Sequence, residues 1–123
     1  MNIPAHYSPV MPYIIVSSAD KFIEFIQTVF DAKEILKVPS PDGSVMHAEY
    51  SINGGTVMFG QAGGEWKSFP CGMFVVTSEI DEVYARGLAN GAVSIQEPGD
   101  KGYGQAAGFQ DTFGNQWWLN NPG

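Results

Sequence analysis

His47 and Glu49 stand two residues apart in the stretch Val45-Met46-His47-Ala48-Glu49. If that stretch is extended, both side chains project from one face, because a strand repeats every two residues. An imidazole beside a carboxylate can serve as a general base with its orienting partner, or as two ligands of a metal ion. The alternative is a polar pair on the solvent face of a sheet. His6, the second histidine, lies near the terminus and is expected to stand apart from any site. Cys71 is the sole cysteine, so no intramolecular disulfide can form, and a lone thiol fits a reducing cytosol. No Ser-His-Asp, Cys-His or paired-carboxylate constellation is readable. The glycines at 60–64 and 99–104 are too irregular for a phosphate-cradling loop, and no G-x-x-x-x-G-K motif occurs.

Aromatic residues are the other chemical signal, with 3 Trp, 5 Tyr and 8 Phe in 123 residues. A binding pocket typically has an apolar wall with a few polar tips. The chain carries 13 acidic and 6 basic residues, a net charge of −7. No Lys/Arg cluster interrupts this, so nucleic acid and anionic membranes are poor partners. The apolar share of 44% is enough to fill one core. No apolar run approaches the roughly 18 residues of a membrane span, and the N-terminus lacks the pattern of a secretory leader. These features predict one cytoplasmic domain over 1–123.

The elements that must position these residues follow from period and punctuation. Met11 to Val16 reads as a buried strand. Ser17 and Asp20 have capping-box spacing, and Phe22, Phe25, Ile26, Val29 and Phe30 then recur at helical spacing. Asp31-Ala32 closes that helix. Glu34 to Val38 and Val45 to Ile52 read as strands, Asn53-Gly54 as a hairpin turn, and Thr56 to Gly60 as the returning strand. Residues 61–70 read as a linker.

The second half repeats the order. Gly72 to Val76 is a strand, and Ser78 and Asp81 again have capping-box spacing. Ile80, Val83, Tyr84 and Leu88 make a helical stripe, which Asn90-Gly91 ends. Strands are predicted at Ser94 to Gln96, Gln105 to Gln110 and Gln116 to Asn120. Pro98 to Gly104 and Phe113-Gly114-Asn115 read as turns. One constant offset carries Val16 onto Val76, Ser18 onto Ser78, Ala32 onto Ala92, Ile35 onto Ile95 and Gly54 onto Gly114. Element order recurring without net insertion points to an internal duplication. The predicted class is α+β, with two tandem βαβββ modules over about 11–60 and 71–120.

Three stretches carry a family resemblance. They are Phe22-Ile23-Glu24-Phe25 with Phe30-Asp31-Ala32, then Gly91-Ala92, then Gln110-Asp111-Thr112-Phe113-Gly114-Asn115. Together they resemble the helix motifs and the turn before the last strand of the glyoxalase/bleomycin-resistance/dioxygenase (vicinal oxygen chelate) superfamily. Val45-Met46-His47-Ala48-Glu49 further resembles a subgroup first met in a phosphonate-utilisation operon. The resemblance implies modules that curl into half-barrels, a central cavity between them, and a homodimer.

In metal-using members the resemblance implies four ligands, usually His, Gln or Glu, on the first and last strands of the modules. Here those positions fall at Met11, Met58, Cys71 and Trp118. None is an oxygen or imidazole ligand of the kind that hard divalent metals, zinc or nickel require. The expectation is therefore a protein that binds a small organic molecule with no cofactor and no metal site. Tyr13, Met58, Met73, Tyr103, Phe109 and Trp118 are the candidate cavity wall, and alternation puts Tyr13, Met73 and Trp118 on the same side as the former ligand positions. Trp66 lies on a segment that could rim the cavity. The alternative is a lyase, isomerase or dioxygenase whose divalent metal is held around His47 and Glu49. The sequence leaves open whether the chain is an enzyme.

Overall fold

A computed structural model describes residues 1–123. Two four-stranded mixed sheets form, each with one helix. In module one the elements are β1 (Tyr13–Val16), α1 (Ala19–Phe30), β2 (Lys33–Pro39), β3 (Val45–Ile52) and β4 (Gly55–Gln61). In module two they are β5 (Gly72–Val76), α2 (Ile80–Ala89), β6 (Val93–Asp100), β7 (Gln105–Gln110) and β8 (Gln116–Asn121). The sheet orders are β1-β4-β3-β2 and β5-β8-β7-β6, with the first pair of each parallel and the rest antiparallel. Each sheet is a curled half-barrel, so the tandem βαβββ architecture holds. No helix is long and apolar enough to cross a membrane.

Local chemistry explains most boundaries. Ser18, rather than Ser17, caps α1 and accepts from the Lys21 amide at 3.5 Å. Asp31 ends α1 in the left-handed region at φ 55°, where a short polar side chain is tolerated. Asn53 and Gly54 both take positive φ, which sets the tight β3–β4 hairpin. The second capping box does not form: Glu79 is the N-cap of α2 without a side-chain bond, and Thr77 accepts from its amide instead. β6 runs through Pro98 to Asp100 rather than ending at Gln96. It is an edge strand, where a missing N–H is tolerated.

One face of each sheet joins a single apolar core with the helices. Ile14, Val16, Ala48, Tyr50, Val57 and Phe59 supply it from module one. Met73, Val75, Ala107, Phe109, Trp117 and Leu119 supply it from module two. α1 links the two, because Phe22 packs edge-on against Phe59 at 4.8 Å and lies 6.4 Å from Trp117, while Phe30 lies 4.5 Å from Trp117. The opposite faces are concave and carry exposed apolar side chains, including Tyr13 and Met46 on one sheet and Phe74 and Val76 on the other.

The duplication slips by one residue in its first strand. Ile14 pairs with Phe59, but Val75, not Phe74, pairs with Leu119. A one-residue slip reverses which face a side chain occupies. Met73 therefore joins the core, and Phe74 takes the concave position beside Trp118.

Candidate functional site

The concave face of module one is built as cross-strand rows. Tyr13 pairs with Met58, Met58 with Glu49, and Glu49 with Leu36. His47 is two residues along β3 on the same face, as its spacing predicts. The pair is joined: His47 Nε2 lies 2.7 Å from Glu49 Oε2. Glu49 is only 1% exposed.

That burial is the work of the N-terminal arm. His6 Nε2 sits 2.7 Å from Glu49 Oε1, and the Tyr7 hydroxyl donates to Oε2 at 2.8 Å. Thr56 Oγ1 holds the arm down by donating to the His6 carbonyl at 2.6 Å, and the Met58 amide donates to the Pro12 carbonyl at 3.1 Å. His6 is thus part of the cluster rather than apart from it. Nothing in its local sequence signals this, because the contact spans 43 positions along the chain.

Burial pushes the Glu49 carboxyl up, but the bonds from His47, His6 and Tyr7 outweigh it and hold the carboxyl at about 2. Glu49 is therefore ionised at neutral pH. An ionised carboxylate only accepts, so both imidazoles donate to it through Nε2. In neutral His47 this leaves Nδ1 as an acceptor, and the Tyr13 hydroxyl approaches it at 3.2 Å. The two rings stack with centroids 5.6 Å apart.

Tyr13 opens onto a hollow of about 870 Å³, in the size range of small-molecule sites. Ile15, Met46, Gly60 and Trp66 supply apolar wall, while Ser40, Asp42, Ser44 and Gln61 supply polar edges. Trp66 is 69% exposed there. It comes from the linker, which is pinned to the sheet edge by the Phe69 amide donating to the Ile15 carbonyl at 2.8 Å.

The remaining predicted wall residues do not converge on this hollow. Trp118 and Tyr103 line a second, smaller hollow of about 230 Å³ on the concave face of module two, with Phe74 and Gln96. Met73 reaches a groove of about 470 Å³ between the modules, which Phe74, Val57 and Trp117 also line. Phe109 is fully buried and belongs to the core: its ring fills the space above Gly87 of α2, where a Cβ would come within 2.5 Å of it. Met58 lies in the Tyr13–Glu49 row but is 8% exposed.

The metal-ligand positions do not fit a resident divalent cation. Met58 faces the Glu49 row of sheet one, while Trp118 pairs with Phe74 and Gly108 in sheet two. An indole can donate but cannot ligate through its N–H. The slip in β5 leaves Gly72, which has no side chain, in place of Cys71.

A buried acid, an imidazole and a phenol thus stand together on the concave face of one half of a duplicated βαβββ fold. The chain belongs to the glyoxalase/bleomycin resistance protein/dioxygenase superfamily, whose family model matches residues 4–119. An uncharacterised protein of Mycobacterium tuberculosis (strain ATCC 25618 / H37Rv) is 32% identical over 123 residues, covering 90% of this chain and 72% of its own length. Among solved structures, TioX from Micromonospora sp. ML1 matches with a TM-score of 0.77 at 24% identity, over 94% of this chain and 99% of that one. The fosfomycin resistance protein FosX from Listeria monocytogenes matches at 0.70 and 20% identity, over 98% and 96%. At these identities the structural matches speak to the fold alone.

Proposed function

We propose that this protein binds a small planar organic molecule in the module-one hollow, without a catalytic metal, as a cytosolic homodimer. The observation that carries this reading is the pairing of exposed aromatic surface with a buried polar cluster at one hollow. Tyr13 and Trp66 offer faces for stacking, and the Tyr13–His47–Glu49 chain offers an ordered polar end. Aromatic stacking adds about 0.5–1.5 kcal/mol beyond buried area. Asp42 at the rim and the net charge of −7 favour a neutral or cationic ligand over an anion. One fold neighbour, FosX, is named as a fosfomycin resistance protein, so small antibiotic molecules are included in the screen.

The homodimer reading rests on the family resemblance and on the exposed apolar side chains of both concave faces. Phe74, Val76 and Tyr103 are 65%, 55% and 59% exposed, an arrangement that a second copy would cover. Light scattering at micromolar concentration is expected to give twice the chain mass.

The metal-dependent alternative is less favoured. Three of the roughly four lone-pair sites of Glu49 already accept hydrogen bonds from His6, Tyr7 and His47. The test is a thermal-shift screen of neutral and cationic heteroaromatic compounds, followed by tryptophan emission. A ligand of this site shifts emission, and Trp66→Ala weakens it by roughly tenfold while the melting temperature stays near that of the parent. Binding that survives Trp66→Ala and Tyr13→Ala unchanged would move the site elsewhere.

A further inference from the structure

The N-terminal arm is held to the concave face of module one by polar bonds at two adjacent residues. His6 Nε2 donates to Glu49 Oε1 at 2.7 Å, the Tyr7 hydroxyl donates to Oε2 at 2.8 Å, and the His6 carbonyl accepts from Thr56 Oγ1. Ahead of them the arm turns on itself, with the Tyr7 amide donating to the Pro4 carbonyl at 3.0 Å. Behind them it is pinned at Pro12, whose carbonyl accepts from the Met58 amide. The apolar side chains of Met1, Ile3 and Val10 are exposed and bury little against the sheet. A segment held by a few polar bonds, without an apolar anchor, lies at the low end of local stability.

What the arm covers has a defined chemistry. Glu49 is buried beneath it. Lifting residues 6–8 returns water to the carboxylate and recovers hydration that burial removes. Only the bond from His47, which lies within β3, then remains on it. Thr56 is two residues along β4 from Met58, the cross-strand partner of Glu49, so its hydroxyl faces the same side and offers a further polar contact. The Tyr13–His47 pair stands between this place and the hollow: Tyr13 lines the hollow, and His47 bonds both Tyr13 and Glu49. The arm places one donor on each carboxylate oxygen. An amidinium or guanidinium carries two N–H donors in a fork of the same spacing as those two oxygens.

We infer that the N-terminal arm is a strap over a second ligand subsite, in which the Glu49 carboxylate takes a forked cationic nitrogen group in place of His6 and Tyr7. The subsite lies beside the hollow and rests on the same reading of this concave face as the ligand side. Closure of the strap and binding of the cation exclude each other, because both use Oε1 and Oε2 of Glu49. The strap is closed in this structure. It opens about Pro12, where the Met58 amide keeps the root of the arm on the sheet edge. A ligand must therefore offset the three bonds at His6, Tyr7 and Thr56, and the apparent affinity falls by the fraction of chains in the open form.

The test uses benzamidine, an aryl amidinium, on the full chain. Hydrogen exchange read by mass spectrometry follows the peptide over residues 1–12. Benzamidine should speed exchange in that peptide at least roughly threefold, because it draws on the open form, and leave the α1 peptide unchanged. His6→Ala combined with Tyr7→Phe should bind benzamidine at least roughly threefold more tightly than the parent in calorimetry, because no closed form competes. Glu49→Gln should abolish binding and the exchange effect together. Near-ultraviolet circular dichroism reports whether each variant is folded. If Glu49→Gln does not fold, the arm exchange of the parent and the affinity of the double variant decide. Arm exchange unchanged by benzamidine, a double variant that binds it no more tightly than the parent, or no binding by either protein overturns the inference. Trp66→Ala separates this subsite from the hollow. The benzamidine effect should survive that substitution, whereas a Trp66-dependent ligand alongside an arm indifferent to benzamidine would keep the hollow and remove the strap.

Discussion

Each module buries one carboxylate, and the two are held by opposite kinds of partner. Asp111 in module two takes the Phe113 and Asn115 amides on Oδ1, both at 2.9 Å, and the Asn115 side chain and Trp117 indole on Oδ2 at 3.2 and 2.8 Å. None of these donors gains or loses a proton near neutrality. Glu49 in module one takes two imidazoles, His6 and His47, and the phenol of Tyr7. Asp111 and its partners lie within six positions along the chain and fix the turn before β8. Glu49 gathers partners from the N-terminal arm and β3, and its network ends at a hollow. One acid holds a turn and a core tryptophan in place, and the other ties the N-terminal arm and His47 to the concave face. Burial of a carboxylate does not separate these roles; the chemistry of its donors does.

The sharpest way to break this contrast is at the adjacent tryptophans of β8. Trp117→Ala removes a fully buried indole and unpairs Asp111 Oδ2. It should cost about 3–5 kcal/mol in urea denaturation. Trp118→Ala, on the concave face, should cost under about 1 kcal/mol. Similar losses at both sites would mean that module two has no open face.

The next test is acid titration of stability. Glu49 has a folded value of about 2, below its ordinary 4.5. Its contribution is therefore complete above pH 4.5 and disappears as pH falls through about 2, because only the unfolded chain takes up the proton in that window. Glu49→Gln should be less stable than the parent by about 3 kcal/mol at neutral pH, and the gap should close between those limits. A gap that persists at low pH would assign the loss to packing instead.

A smaller effect is expected at Gly60. Gly60→Ala places a methyl group against the Met46 carbonyl, at a cost of about 1–2 kcal/mol. It should also displace Tyr13 from His47, seen as weaker binding of a ligand that stacks on Tyr13 in the module-one hollow. Unchanged binding would show that the phenol has slack beside the sheet.

The sequence by itself determined the module order, the core stripe of α1, the Asn53-Gly54 hairpin and the shared face of His47 and Glu49. Each depends on period or on a local φ requirement, and such signals lie within a few residues of each other. The family resemblance followed from the same local features. Four things were decided only by the tertiary structure. The one-residue slip between β1 and β5 is invisible to an offset read on whole modules, yet it moves Met73 into the core and Phe74 out of it. Phe109 looks like any strand aromatic until Gly87 of α2 admits its ring. Trp66 reaches the hollow because the linker pairs with β1 at Ile15 and Phe69. His6 is part of the buried cluster because the N-terminal arm crosses β3 and β4. These are contacts between residues far apart in the chain. They depend on how strands and arms are laid beside one another, which period and punctuation do not encode.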